Sequence, residues 1–183
     1  MARPLRLQVP GGVFHVTIRG VRKLPIFHGD DDRRVFLWLV ARVVATHAWA
    51  CLAYVLMTTH YHLLLQTPNP NLASGMQRLN SAYAQGFNRR HGLNGHLFEQ
   101  RYASVFVETD EHLLAEFRYI ALNPVMAGMC DKPDAWTWSS YPAALGLQRS
   151  PRFLTADWIL GHFSADLERA RTLAREFVEA GLD

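Results

Sequence analysis

The chain has 183 residues, 49% of them hydrophobic, which suits one domain with an appendage better than two full domains. It holds no apolar run near the roughly 20 residues needed to cross a bilayer, no signal-type apolar segment among Met1 to Gly12, and only two widely spaced cysteines, Cys51 and Cys130. A reduced, cytoplasmic setting is therefore expected, without a membrane anchor or a zinc–thiolate set. The net charge of +3 is unevenly spread: residues 1–130 carry 13 Lys and Arg against 8 Asp and Glu, and residues 131–183 carry 6 against 8. A basic N-terminal part suits a polyanion partner, although the excess is modest.

Val13 to Arg19 alternates and is rich in β-branched residues, predicting a first strand. Phe14, Val16 and Ile18 share one face; His15, Thr17 and Arg19 share the other. A loop from Gly20 to Gly29 carries Arg22 and Lys23. Asp30-Asp31-Asp32 then supplies an N-cap and first-turn acids for a helix to about His47. Ala50 to Met57 is apolar on both faces, the pattern of a central strand. His60 to Gln66 is a third strand, joined by the short link Met57-Thr58-Thr59. A second helix runs from about Asn71 to Arg90, its stripe being Leu72, Met76, Leu79, Tyr83 and Phe87. Ala103 to Glu108 reads as a fourth strand.

Thr109-Asp110 caps a third helix, from about Glu111 to Asn123. Leu113, Leu114, Phe117, Ile120 and Ala121 fall on its core face, and His112, Glu116, Tyr119 and Asn123 on a separate, contiguous one. Pro124 is expected to stop or kink this helix and to bias Asn123 away from helical geometry. Beyond it, Trp136, Trp138 and Tyr141 cluster in a loop-like region that suits a dock for the C-terminal segment. Ser164 is expected to cap a last helix, with Gly181 just past its end. The order β-α-β-β-α-β-α describes an α+β fold: an antiparallel, ferredoxin-like or RNA-recognition-motif-like sheet with helices on one face and the other open to a ligand. Residues 1–130 would form the main domain and 131–183 an extension packed on it.

On a strand, His60 and His62 point the same way, and neutral imidazoles at that spacing can converge on one divalent metal. An isolated His-x-His is more often a pair of ordinary strand residues. Here the pair sits in an otherwise apolar strand, where its polar atoms need partners. Of the six tyrosines, Tyr119 alone lies on a helix with a polar neighbour, Asn123, one turn on. That placement by itself also describes a plain surface tyrosine. A phenol is a poor nucleophile unless its electrophile is activated, as a phosphate polarised by a metal would be.

The ordered motifs Phe14-His15-Val16-Thr17-Ile18-Arg19-Gly20, His60-Tyr61-His62, Phe87-Asn88-Arg89-Arg90, Gly95-His96-Leu97-Phe98-Glu99-Gln100-Arg101-Tyr102, Arg118-Tyr119-Ile120-Ala121-Leu122-Asn123-Pro124 and Trp138-Ser139-Ser140-Tyr141 resemble the single-tyrosine HUH transposases, and within them the REP-associated tyrosine transposases. The resemblance covers roughly residues 10–145. It implies that His60 and His62 are the HUH metal ligands, that Tyr119 is the nucleophile, and that Asn123 stands where related enzymes place a third polar ligand. It further implies cleavage of single-stranded DNA near a hairpin through a 5′-phosphotyrosine link, with Mg²⁺ or Mn²⁺, by a monomer or a homodimer. Met57-Thr58-Thr59 departs from the family, which usually has Pro-Asn or Pro-Glu before the first histidine. Arg19, Arg22, Lys23, Arg89, Arg90 and Arg101 are candidate phosphate contacts. One rival is a non-catalytic nucleic-acid-binding module that uses the same open sheet. Another is a small-phosphoester hydrolase, which would need more carboxylate ligands than the sequence places near the histidines.

Overall fold

A computed structural model describes residues 9–182. Four strands, β1 (Gly12–Arg19), β2 (Ala50–Leu56), β3 (His60–Thr67) and β4 (Ala103–Val107), form one antiparallel sheet in the order β2-β3-β1-β4. Helices α1 (Asp30–His47) and α2 (Leu72–His91) cover one face of it. Their apolar stripes meet Phe14, Val16, Ile18, Tyr61, Leu63 and Leu65, the alternate residues of β1 and β3. The expectation of helices on one face holds for these two. Helix α3 (Asp110–Met126) instead crosses the other face, where Leu113, Phe117, Ile120 and Ala121 pack on Val13, Val55, Leu64 and Val107.

Helix α3 passes through Pro124 rather than stopping before it. The ring removes one N–H, and its fixed φ is compatible with a helix. The loss falls in the last turns, where Met129 N–H bonds the Pro124 carbonyl and Ala127 N–H bonds that of Asn123. Asn123 therefore keeps its helical place, one turn after Tyr119.

Strand β2 is an edge strand, not a central one. It is apolar on both faces because each is covered, and its open edge is closed by the C-terminal segment. Leu56 N–H donates to Trp138 O, Ser140 N–H to Tyr54 O, and Thr155 N–H to Cys51 O. The Ser140 hydroxyl accepts from Tyr54 N–H at 2.9 Å. These bonds satisfy an edge that would otherwise present unpaired backbone to other chains. Three further helices follow: α4 (Tyr141–Ala144), α5 (Ala156–Leu160) and α6 (Leu167–Glu179). The cap of α6 is Asp166, which accepts from Arg169 N–H, whereas Ser164, two residues earlier, accepts at Oγ from Asp166 N–H. Ala170, Ala174 and Val178 of α6 pack in the α3 layer, and Arg118 lies over the Phe177 ring.

Candidate active site

The register of β1 on β3 sets Arg19 opposite His60 and Thr17 opposite His62. Directly paired residues share a face, so the polar side of β1 and both histidines point to the α3 side of the sheet. The two histidine rings lie 5.1 Å apart between centroids. In the link before β3, the Thr59 hydroxyl sits 3.1 Å from His60 Nδ1.

His62 is buried, at 5% exposure. Its Nδ1 is 2.8 Å from His15 Nε2. Its Nε2 is enclosed without any hydrogen-bond partner. Burial, then the nearby His15, His60 and Arg19, push its pKa down to about 2. His60 is also held below the ordinary histidine value, by burial first and then by Arg19, against an opposing hydrogen bond with the Asn123 side chain. Both rings are thus neutral near pH 7, the form that ligates metals.

His15, on β1, extends the group: its Nδ1 lies 2.7 Å from Glu116 Oε2. The other carboxylate oxygen of Glu116 is 3.3 Å from His112 Nε2. Burial would raise the Glu116 pKa, but hydrogen bonds and charge from His15 and His112 outweigh it and hold the carboxyl below its usual range. Glu116 and His112 lie on the polar face of α3 and His15 on the polar face of β1, and none of the three was a candidate site residue in the sequence. The signal available was the spacing of Glu116, Tyr119 and Asn123 along one helical face.

Tyr119 is half-exposed, at 51%. Its ring stands 5.4 Å from that of His62 and 5.7 Å from that of His15, centroid to centroid. Helix α3 therefore brings Tyr119 and Asn123 to the histidine pair within one chain. Val105, on β4 and paired with His15, is 50% exposed and leaves an open strip of sheet on this face.

Among the described residues, no three His, Cys, Asp or Glu side chains converge as a metal set. A cation here would take the two imidazoles and an oxygen from elsewhere. The residues fit one: a buried, unpartnered His62 Nε2 faces a desolvation cost that a cation would relieve, and Asn123 already touches His60.

The six candidate phosphate contacts do not form one group. Arg19, Arg22, Lys23 and Arg101 are exposed. The loop that bears Arg22 and Lys23 is braced on residues 97–99 through Val21 N–H to Leu97 O and Glu99 N–H to Arg19 O. Arg22 and Lys23 are both left-handed, with φ of 53° and 59°, a conformation that costs about 1–2 kcal/mol per residue. Gly20 permits that turn, since a Cβ there would stand 2.2 Å from the Leu24 carbonyl oxygen. Arg101 lines a cleft of about 650 Å³ between α2 and the 95–102 loop, together with Gln77, Asn80 and Phe98. Arg89 and Arg90 lie at the end of α2, on the face opposite the histidines. Arg90 is engaged by the buried Asp32 carboxylate, which also takes His91 Nε2 at 3.0 Å and His28 N–H at 2.8 Å. Burial opposes ionisation of Asp32, but these hydrogen bonds hold its pKa below the carboxylate norm.

Comparison with known proteins bears on this arrangement. No curated protein matches the chain significantly. Among solved structures, a REP-associated tyrosine transposase bound to a REP hairpin is 16% identical, with 85% of this chain and 92% of that chain covered and a TM-score of 0.68. At that identity the likeness is one of fold. A candidate transposase from Deinococcus radiodurans R1 is 15% identical over 70% of this chain and 96% of that one, with a TM-score of 0.45. The model of the IS200-like transposases matches residues 8–123, a span that takes in β1, both histidines and the helix of Tyr119 as far as Asn123. The chain belongs to the IS200-like transposase family.

Proposed function

We propose that this chain cleaves and rejoins single-stranded DNA near hairpins, with Tyr119 as nucleophile. The observation that carries the reading is the position of Tyr119 beside His62, 5.4 Å between ring centroids, on a helix laid across the histidine face. The phenolic oxygen of Tyr119 attacks the scissile phosphorus and gives its proton to solvent, to which it is open. The bond from phosphorus to the 3′ oxygen breaks, and that oxygen takes a proton and leaves as a 3′-hydroxyl. The 5′ end stays on Tyr119 as a phosphotyrosine, and attack by another 3′-hydroxyl reverses the step and rejoins DNA. His60 and His62, completed by Asn123, would hold a divalent cation. Bound there, Mg²⁺ or Mn²⁺ would supply charge neutralisation at the phosphate, the activation that a phenol, a poor nucleophile, needs from its electrophile.

The DNA-facing surface is the open strip beside Val105 together with Arg19, Arg22 and Lys23 near the His60 end. Arg101 borders the adjoining cleft, and Arg89 is an outlying contact. Arg90 is a weaker candidate, since Asp32 already engages it. The solved structure of similar fold holds a REP hairpin, and a hairpin is the partner inferred for this chain.

The test is a labelled hairpin oligonucleotide incubated with the protein and Mn²⁺ and run on a denaturing gel. A covalent adduct is expected with the native protein and none with Tyr119→Phe or with chelator. An adduct that survives Tyr119→Phe would overturn the assignment. No adduct with any hairpin tested would leave a non-catalytic DNA-binding module.

A further inference from the structure

We infer that Glu116 and His15 are positioning residues that fix His62 as the tautomer with its proton on Nδ1, leaving Nε2 bare. The inference rests on the reading of His62 as a metal ligand for its purpose, but the geometry alone defines the tautomer. Three contacts lie in series: Glu116 Oε2 to His15 Nδ1 at 2.7 Å, His15 Nε2 to His62 Nδ1 at 2.8 Å, and His62 Nε2 to nothing.

The two ends of this chain demand the same proton order. At one end, an ionised carboxylate can only accept, so His15 Nδ1 carries a hydrogen. At the other end, a proton on His62 Nε2 would be buried without an acceptor, a cost of about 1–3 kcal/mol. The same proton on Nδ1 has His15 Nε2 to receive it. The Thr17 hydroxyl, which donates to the Tyr61 carbonyl, is no alternative acceptor, because His62 Nε2 has no hydrogen-bond partner within reach. The hydrogens therefore run one way: His62 Nδ1–H to His15 Nε2, and His15 Nδ1–H to Glu116. His112 on the second oxygen of Glu116 holds the carboxylate in place.

The result is a lone pair on His62 Nε2, at the nitrogen nothing else occupies. A carboxylate behind a ligand histidine sets its ring orientation and raises its basicity, and loss of such support commonly costs 10–100-fold in metal affinity. Here the support acts through an intervening imidazole. One carboxylate on the helix of Tyr119 thereby sets the protonation pattern of a ligand on β3, so the helix that carries the nucleophile also prepares the metal side.

The experiment is a long-range ¹H–¹⁵N correlation on histidine-labelled, metal-free protein near neutral pH, with His62 assigned from a His62→Gln variant. The native protein is expected to show His62 protonated at Nδ1 and bare at Nε2. In Glu116→Gln, the amide can accept from His15 or donate to it, so the order is no longer fixed from that end and a fraction of His62 with Nε2–H is expected to appear. Mn²⁺ affinity, read by water-proton relaxation, is expected to fall about 10-fold or more. A purely structural role for Glu116 would lower thermal stability and leave the tautomer unchanged. His62 protonated at Nε2 in the native protein would overturn the inference, as would an unchanged tautomer and Mn²⁺ affinity in Glu116→Gln. If that variant fails to fold, the native spectrum alone decides. The tautomer is read without metal or DNA, so it stands or falls apart from the cleavage reading.

Discussion

His62 binds its surroundings through one nitrogen and leaves the other bare, and that asymmetry has a thermodynamic consequence. In the unfolded chain its pKa is the ordinary 6.5, and in the folded chain burial lowers it to about 2. Between those values the unfolded state binds a proton that the folded state does not, so stability rises with pH across that window. The contribution is fully present above the unfolded value and is lost progressively as pH falls below it. His60 is shifted in the same direction and adds to the effect. Asp32 also loses its stabilising ionised form in acid, but only below the ordinary carboxylate value of 3.8. Thermal melts of the metal-free protein are expected to show a falling midpoint from pH 7 to pH 5. His62→Gln should flatten that slope, and an equal slope in both proteins would contradict the burial argument.

At the scale of elements, α3 decides whether the histidines have anything to work with. Its two faces were legible in sequence: apolar residues at helical spacing, and a polar row of His112, Glu116, Tyr119 and Asn123. Which face of the sheet it covers was not legible, because periodicity fixes the orientation of a stripe but not its partner layer. Pro124 misled for a related reason: its local bias gave way to packing of Leu122 and its own ring, both buried. The edge position of β2 was hidden too, since an edge strand covered by a distant segment has the composition of a central one. The Asp32 cluster joins residues 58 and 59 apart, and no local pattern announces it. Helix α2 shows how tightly the opposite layer is packed. A Cβ on Gly75 would lie 2.2 Å from Trp49 Cη2, and Trp49 is pinned by a 2.6 Å bond from Nε1 to Asn71 Oδ1. Gly75→Ala is expected to cost about 1–3 kcal/mol by overpacking, measurable by urea denaturation. A neutral result would mean that the ring moves aside freely.

For the molecule as a whole, residues 131–182 share a hydrophobic core with the sheet and α3. Their edge bonds to β2 and the α6 contacts in the α3 layer tie them to both sides of the site. Ser140→Ala would leave Tyr54 N–H without its hydroxyl partner, a loss of about 1–3 kcal/mol. A chain ending at residue 130 is expected to aggregate through its bare β2 edge, as light scattering would show; a soluble, folded 1–130 would mark a separable domain. Among the described residues no helix is long and apolar enough to cross a membrane.

The residues of the proposed site come from one chain, since α3 sets Tyr119 beside its own His62. Equal amounts of Tyr119→Phe and His62→Ala proteins, mixed with hairpin DNA and Mn²⁺, test this directly. Each variant alone should form no adduct, and the mixture should form none either. A mixture that regains a substantial fraction of the native adduct would show that tyrosine and histidines meet across two chains, against the arrangement described.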